Sequence, residues 1–244
     1  MCYRYSVPGP DAVKKEFKAN LKESFEKRYH VAAFEEVGLP VITDMNPDQV
    51  DLFRWGLIPF WAKDEKTAKQ ISERTVNARS ETIYEKPAFR SSAKDKHCLV
   101  IADGFFEWRH YQGKACPYYI KVKNREAFAM AGLWDSWTNK STDEKIYTYT
   151  IITTEANPLM ARIHNKKKRM PAILPKEDEK RWISQDITKE DAMEILQPFN
   201  EKEMEAHTIS KLITARDQDP NVPSVIKPFQ YKDLEPLSSQ KSLF

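Results

Sequence analysis

The stretch at residues 97–154, HCLVIADGFFEWRHYQGKACPYYIKVKNREAFAMAGLWDSWTNKSTDEKIYTYTIITT, decides the fold class. Its runs CLVIA, FFEWRHY, PYYIKV, AFAMAGLW and IYTYTIITT are dense in the β-branched and aromatic residues that fill a pleated, half-buried surface. Short turn-forming segments separate them, among them Gln112-Gly113 and the polar loop at 139–145. Connections that short join antiparallel neighbours, because a parallel pair needs a crossover of about a dozen residues. The stretch predicts a largely antiparallel sheet, curled or closed on itself.

Outward from this block the signals change. Residues 29–60 carry further strand-like runs punctuated by Pro40, Pro47 and Pro59. At residues 11–28, Val13, Phe17, Leu21 and Phe25 recur every fourth position among Lys and Glu, which predicts an amphipathic helix with Asp11 as N-cap. Residues 63–92 are polar and read as mixed helix and loop. After the sheet block come a short helix at 157–163 with Pro158 in its first turn, another at 190–196, and strand character near 203–210. No repeat or Gly/Ser linker divides the chain, so one domain over 1–231 is expected, with a polar tail over 232–244.

The chain has 244 residues, 39 Lys and Arg against 36 Asp and Glu, a net charge of +3 and an 11% aromatic share, the pattern of a folded domain rather than a disordered one. No apolar stretch approaches the ~18–20 residues that span a bilayer, and the N-terminus has no apolar signal core, so a cytoplasmic protein without membrane contact is expected. Cys2, Cys98 and Cys116 are sparse and form no C-x-x-C pair, which fits a reducing compartment. His30, His97, His110, His164 and His207 show no paired ligand spacing, and no metal or cofactor is expected. With so small a net charge, any contact with nucleic acid must come from a local patch.

Cys2 directly follows the initiator Met. Removal of Met1 would leave an α-amine of reference pKa ~7.7–8.0 and a thiol near ~8.5 on one residue. That pair traps aldehydes: the amine condenses to an imine and the thiol closes a five-membered thiazolidine. Such chemistry needs proton donors and acceptors close by. Glu107, between Phe106 and Trp108, is either a desolvated carboxyl of raised pKa or, by strand alternation, a water-facing one. His164, before Asn165-Lys166-Lys167-Lys168-Arg169, is either a base beside a phosphate-binding run or the neighbour of a solvated loop. Asn77 could orient a nucleophile or simply occupy a turn. Arg4 and Arg79 read as phosphate ligands or surface ion-pair partners, and Trp55, Phe60, Trp61 and Trp108 as base-stacking faces or core.

Several motifs occur here in a known order: Cys2-x-Arg4, WGLIPFW at 55–61, NARSET at 77–82, ADGFFEW at 102–108, ITTEAN at 152–157, and Ile163-His164 followed by RMPAIL at 169–174. Together they resemble the SOS-response-associated peptidase (SRAP) family, whose members shield abasic sites in DNA, over nearly the whole chain. The resemblance implies an α+β single domain with a curved, mainly antiparallel, barrel-like β core flanked by short helices. It also implies single-stranded DNA containing abasic sites as covalent partner, and a thiazolidine DNA–protein crosslink through Cys2 after loss of Met1; a monomer is expected. Peptidase-like N-terminal processing, abasic-site lyase activity and slow crosslink reversal are implied as well. Asn77 would hold the Cys2 backbone and amine, Glu107 would shuttle protons during imine formation, and His164 would assist sugar ring opening. Thr153 would line the pocket, Arg4, Arg79, Lys168 and Arg169 would grip the DNA, and Phe60 or Trp61 would take the place of the tryptophan wedge that some members set at the lesion.

The chain departs from the family pattern in having Tyr3 where Gly is commonest, Tyr29-His30-Val31-Ala32-Ala33 for Tyr-Asn-x-Ala-Pro, four residues (165–168) between His164 and Arg169 where one is usual, and Ala62 where some members carry a second tryptophan. An N-terminal-nucleophile cysteine amidohydrolase or peptidase shares the nucleophile without needing DNA. A non-catalytic single-strand binding module would associate only reversibly.

Overall fold

The computed structural model describes residues 2–237; Met1 and the last seven positions of the expected tail, 238–244, lie outside the described residues. In chain order the strands are β1 (Arg4–Val7), β2 (Asn20–Leu21), β3 (Arg28–Ala32), β4 (Gly38–Thr43), β5 (Gln49–Trp55), β6 (Asn77–Arg79), β7 (His97–Ala102), β8 (Gly104–Tyr111), β9 (Lys114–Val122), β10 (Phe128–Thr138), β11 (Lys145–Glu155), β12 (Arg169–Pro171) and β13 (Met204–Thr208). The helices are α1 (Pro10–Phe17), α2 (Glu65–Ser72), α3 (Ser92–Asp95), α4 (Pro158–Ile163), α5 (Glu179–Trp182) and α6 (Lys189–Ile195).

The strands form two sheets. One is antiparallel throughout, in the order β13-β9-β8-β1-β3. In the other, β11, β10, β7, β4 and β5 are antiparallel neighbours in succession, and a parallel pairing of Thr148 and Tyr149 with Arg54 and Trp55 joins β5 back to β11. That contact closes a five-stranded barrel of mixed direction. The short β6 and β12 lie on opposite sides of the far end of β11, through Ile151–Thr153 and Thr153–Glu155. The α+β class and the barrel-like, mainly antiparallel core expected above are what is found.

The barrel strands read as continuous apolar runs because both of their faces are covered. On β7, Cys98, Val100 and Ala102 face the core shared with the antiparallel sheet, beside Tyr5, Phe105 and Ile120. Leu99 and Ile101 face the other way, against Val13, Ile83, Trp182 and Ile195 from the helices and loops.

The helix expected over 11–28 is shorter. α1 begins after Gly9, with Pro10 in the first turn, and ends at Phe17 because Lys18 adopts the left-handed conformation (φ 54°), its N–H returning to the Lys14 carbonyl. Asn20 and Leu21 then pair in parallel with Gln49 and Val50 at the sheet edge. The four-residue apolar spacing persists beyond the helix because Leu21, from β2, and Phe25, from the irregular segment after it, still pack on the core. Residues 232–237, read as the start of the tail, lie along the β8–β9 hairpin: Arg109 donates to the Glu235 carbonyl (2.6 Å), Lys114 pairs with Asp233 (3.2 Å), and Leu237 is buried.

A buried polar clasp fixes β1 in the sheet. The Ser6 hydroxyl bonds the Asp103 carboxylate and the Tyr119 hydroxyl (2.8 Å), and Lys27 neutralises Asp103 from the rim at 3.0 Å. Tyr119 lies flat over Gly104, where an added Cβ would sit 2.2 Å from the ring. Gly104→Ala therefore has to displace Tyr119 and break the clasp. A loss of about 3 kcal/mol is expected, at the upper end for overpacking, read as a lowered urea midpoint at unchanged slope.

Candidate functional site

The two sheets meet at the N-terminus of β1. Cys2 is fully buried in the shared core, and its Sγ lies 3.4 Å from the Arg4 carbonyl. Below it the Tyr5 and Tyr149 hydroxyls share a hydrogen bond of 2.5 Å, and Tyr5 meets Trp55 edge-on at 5.1 Å. Asn77, on β6 of the barrel sheet, donates from Nδ2 to the Cys2 carbonyl at 2.8 Å, and its Oδ1 is buried without a hydrogen-bond partner among the described residues. An acceptor of that kind, left open beside the start of the chain, suits an N–H donor on Cys2.

Glu107 resolves the choice left by its sequence. The pairing of Tyr5 with Phe105 puts Glu107 on the core-facing side with Phe105, and Phe106 and Trp108 on the other. That second side is also covered, by Ile209, Ile213 and Val225, so the alternation is real but neither face is wet here. Glu107 is 4% exposed, and burial lifts its carboxyl to about 7. At neutral pH it exists as both acid and carboxylate.

His164 closes α4, whose N-cap is Asn157, accepting from the Met160 N–H at 2.8 Å, with Pro158 in the first turn. Its Nδ1 is 2.8 Å from the Arg169 carbonyl and 3.7 Å from Glu107 Oε1. A carbonyl can only accept, so Nδ1 carries the hydrogen and the lone pair is on Nε2. Burial lowers the imidazole to about 4, so the ring is neutral at physiological pH. Burial, and after it the Glu107 charge, push the Cys2 thiol up to about 12. The resting site thus holds a protonated thiol, a neutral imidazole and a carboxyl poised at its midpoint.

Arg169 is engaged rather than free. Its guanidinium pairs with both Glu81 oxygens, the longer contact at 3.0 Å, and donates to the Thr153 carbonyl at 2.5 Å. Thr153, expected to line the pocket, is fully buried and donates to the Ala78 carbonyl (3.2 Å), so it supports Arg169 from beneath. Arg79 projects exposed at the same edge. The loop 165–168 is solvated, as its lysines suggested, yet ordered by backbone bonds. Asn165 exchanges two hydrogen bonds with the His110 backbone (3.1 and 2.8 Å), the Lys168 N–H returns to the His164 carbonyl (2.8 Å), and Lys168 takes a left-handed φ of 49°.

Two expected residues lie apart from this group. Arg4 is on the outer face with Phe106, its guanidinium over Trp108 at 5.3 Å. Trp61 is 43% exposed beside Phe60, whose N–H is held by Asp135 at 3.0 Å and whose ring faces Lys96, at the barrel corner. A separate cleft of about 280 Å³, walled by Phe34, Trp55, Ile58 and Trp137, includes none of Cys2, Asn77, Glu107 or His164. Glu81 and Asn165 were missed from sequence; the position of Glu81 inside NARSET was the available signal. Among the described residues no group of three or more His, Cys, Asp or Glu is placed to hold a metal, and no helix is long and apolar enough to cross a membrane.

Comparison with known proteins gives a consistent picture. Residues 1–216 match the family model described as SOS response associated peptidase (SRAP). The chain is 41% identical over 193 residues to the abasic site processing protein YoqW of Bacillus subtilis, covering 78% of this chain and 82% of that one. It is 32% identical over 194 residues to the abasic site processing protein HMCES of Xenopus tropicalis, covering 71% of this chain and 56% of that one. A crystal structure of a protein from Bacteroides thetaiotaomicron superposes with a TM-score of 0.86 at 37% identity, covering 94% of this chain and all of the other.

Proposed function

The chain belongs to the SOS response associated peptidase family, and from that premise we propose that it is an abasic site processing protein that binds single-stranded DNA and crosslinks itself to the lesion through Cys2. The observation that supports this reading best is the hydrogen bond from Asn77 to Cys2 beside a buried carboxyl poised near neutrality. Loss of Met1 makes the Cys2 nitrogen a primary amine, for which Asn77 Oδ1 is an acceptor. His164, neutral, relays a proton from the C1 hydroxyl of the abasic sugar as its ring opens to the aldehyde. The amine adds to the aldehyde carbon, and Glu107 in its acid form donates a proton to the departing hydroxyl, which leaves as water from the imine. The Glu107 carboxylate so formed takes the thiol proton and is restored to its acid form, and sulfur bonds to the carbon of the protonated imine, whose nitrogen keeps its one hydrogen as the C=N electron pair returns to it. The net change is loss of one water.

The order of steps matters. A thiol held near 12 is a poor first nucleophile, which argues against an amidohydrolase reading in which the thiolate attacks first. Lyase chemistry would start from the same imine before sulfur closes on it. Arg79, Lys168 and Arg4 take backbone phosphates, Arg169 grips DNA in exchange for part of its pairing with Glu81, and Trp61 stacks on a base farther along the strand. Intact mass after incubation with a single-stranded abasic oligonucleotide tests the reading. The expected species is protein without Met1 plus oligonucleotide less one water; only unmodified protein, under conditions where Met1 is absent, would overturn it.

A further inference from the structure

Tyr3 and Phe34 are exposed aromatic residues beside the start of β1, where Tyr3 follows Cys2; Phe34 also walls the neighbouring cleft, and the proton chemistry uses neither ring. Tyr3 follows Cys2 directly, and its carbonyl accepts the Ala33 N–H at 2.9 Å, which carries the turn after β3 to the nucleophile's side. The rings are 36% and 58% exposed, with centroids 6.4 Å apart and planes inclined by 32°, too open for the two to cover one another. Phe34 also has a left-handed φ of 81°, a conformation that costs stability in any residue but glycine. The turn is held in that shape on purpose-built contacts: Glu35 accepts the Ala32 N–H at 2.7 Å and pairs with Arg28 at 3.2 Å. The Arg28 contact also balances the charge of the Glu35 carboxylate.

Folding gains little from an exposed phenylalanine on strained backbone, so the rings point to a ligand with a flat, apolar face. Resting on the DNA reading above, we propose that Tyr3 and Phe34 form a stacking subsite for the nucleobase flanking the abasic site, which makes this protein selective for a purine neighbour. An abasic site lacks its own base, so the adjacent base has lost a stacking partner within the strand and offers an open face. A purine presents more of that face than a pyrimidine, and aromatic stacking on single strands is otherwise tolerant of sequence.

The test uses single-stranded abasic oligonucleotides flanked on both sides by adenine or by thymine, with 2-aminopurine as a reporter at the flanking positions. For the unsubstituted protein, the second-order crosslinking rate is expected to be severalfold higher with adenine flanks, with 2-aminopurine fluorescence quenched in the adduct. Tyr3→Gly and Phe34→Gly should each lower DNA affinity by about tenfold and abolish the purine preference, leaving the salt dependence of binding unchanged because no phosphate contact is lost. Phe34→Gly should melt no lower than the parent, since glycine accepts the turn's φ, so its loss of preference cannot be a folding defect. A purine preference that survives both substitutions, equal rates with the two flanks, or unquenched 2-aminopurine in the adduct overturns the proposal. Failure of the unsubstituted protein to crosslink either oligonucleotide would instead fall on the crosslinking reading itself.

Discussion

Cys2→Ala is expected to abolish the SDS-resistant adduct with abasic single-stranded DNA while leaving reversible binding to the same oligonucleotide within a few-fold. The substitution keeps a small residue at position 2, so Met1 can still be removed and the α-amine is still exposed; only sulfur is lost. The amine alone can reach the imine, which water reverses, so a borohydride-trappable species should survive in Cys2→Ala although the heat-stable adduct does not. Retention of Met1 should remove both, because it blocks the amine. This contrast assigns the two bonds of the ring to two atoms of one residue. An undiminished heat-stable adduct in Cys2→Ala would place the nucleophile elsewhere, and separation of all bound DNA by SDS in the parent protein would leave only a reversible binder.

Glu107→Gln is expected to slow adduct formation by roughly 10²–10⁴, the usual span for loss of a positioned acid or base, and to alter the pH profile in a defined way. The acid form of Glu107 disappears through about 7 as pH rises, whereas the neutral α-amine appears through ~7.7–8.0. The parent should therefore show a bell with its maximum at about 7.4, and Glu107→Gln should lose the falling limb alone. Stability moves the opposite way. The folded-state value of Glu107 is raised, so its contribution is fully present below the ordinary carboxyl range and is lost as pH rises through about 7. At pH 8 the buried carboxylate costs up to about 3 kcal/mol, and Glu107→Gln should be the more stable protein by that order, the gap shrinking toward pH 5. Equal melting temperatures at pH 8 together with an unchanged bell would remove Glu107 from the proton-transfer role.

What the sequence made legible follows from the range of the interactions involved. The strands of 97–154 were readable because most of their length is covered on both faces, so apolar and aromatic residues dominate their runs, and the Gln112-Gly113 turn sets a local register. A closed or curled sheet was expected, but not which strands close it, because Arg54 and Trp55 pair with Thr148 and Tyr149 across almost a hundred intervening residues with no local mark. In the site, Cys2, Asn77, Glu107 and His164 are brought to one place as their motif order suggested, whereas Trp61 and Arg4 are not, since neighbouring positions in a strand or motif can face opposite sides of a sheet. The apparent helix over 11–28 failed for a related reason: spacing reports which residues reach the core, and Leu21 reaches it from a strand. Glu81 escaped notice because an acidic residue becomes informative only once its arginine partner, far along the chain, is known.

The position of β1 has a mechanical consequence. In a crosslinked complex the DNA is tethered to the residue preceding this strand, and β1 lies between β8 and β3, with Ser6 locked to Asp103. A motor advancing along the DNA would pull β1 along its own axis, loading two antiparallel ladders in shear, so that their hydrogen bonds must fail together rather than unzip one at a time. Resistance to such a force is set by the rate of forced unfolding rather than by equilibrium stability. A crosslink formed as proposed would hold its DNA at a point suited to bear tension, with the clasp around Asp103 as the pin that a translocating machine would have to shear before the tether gave way.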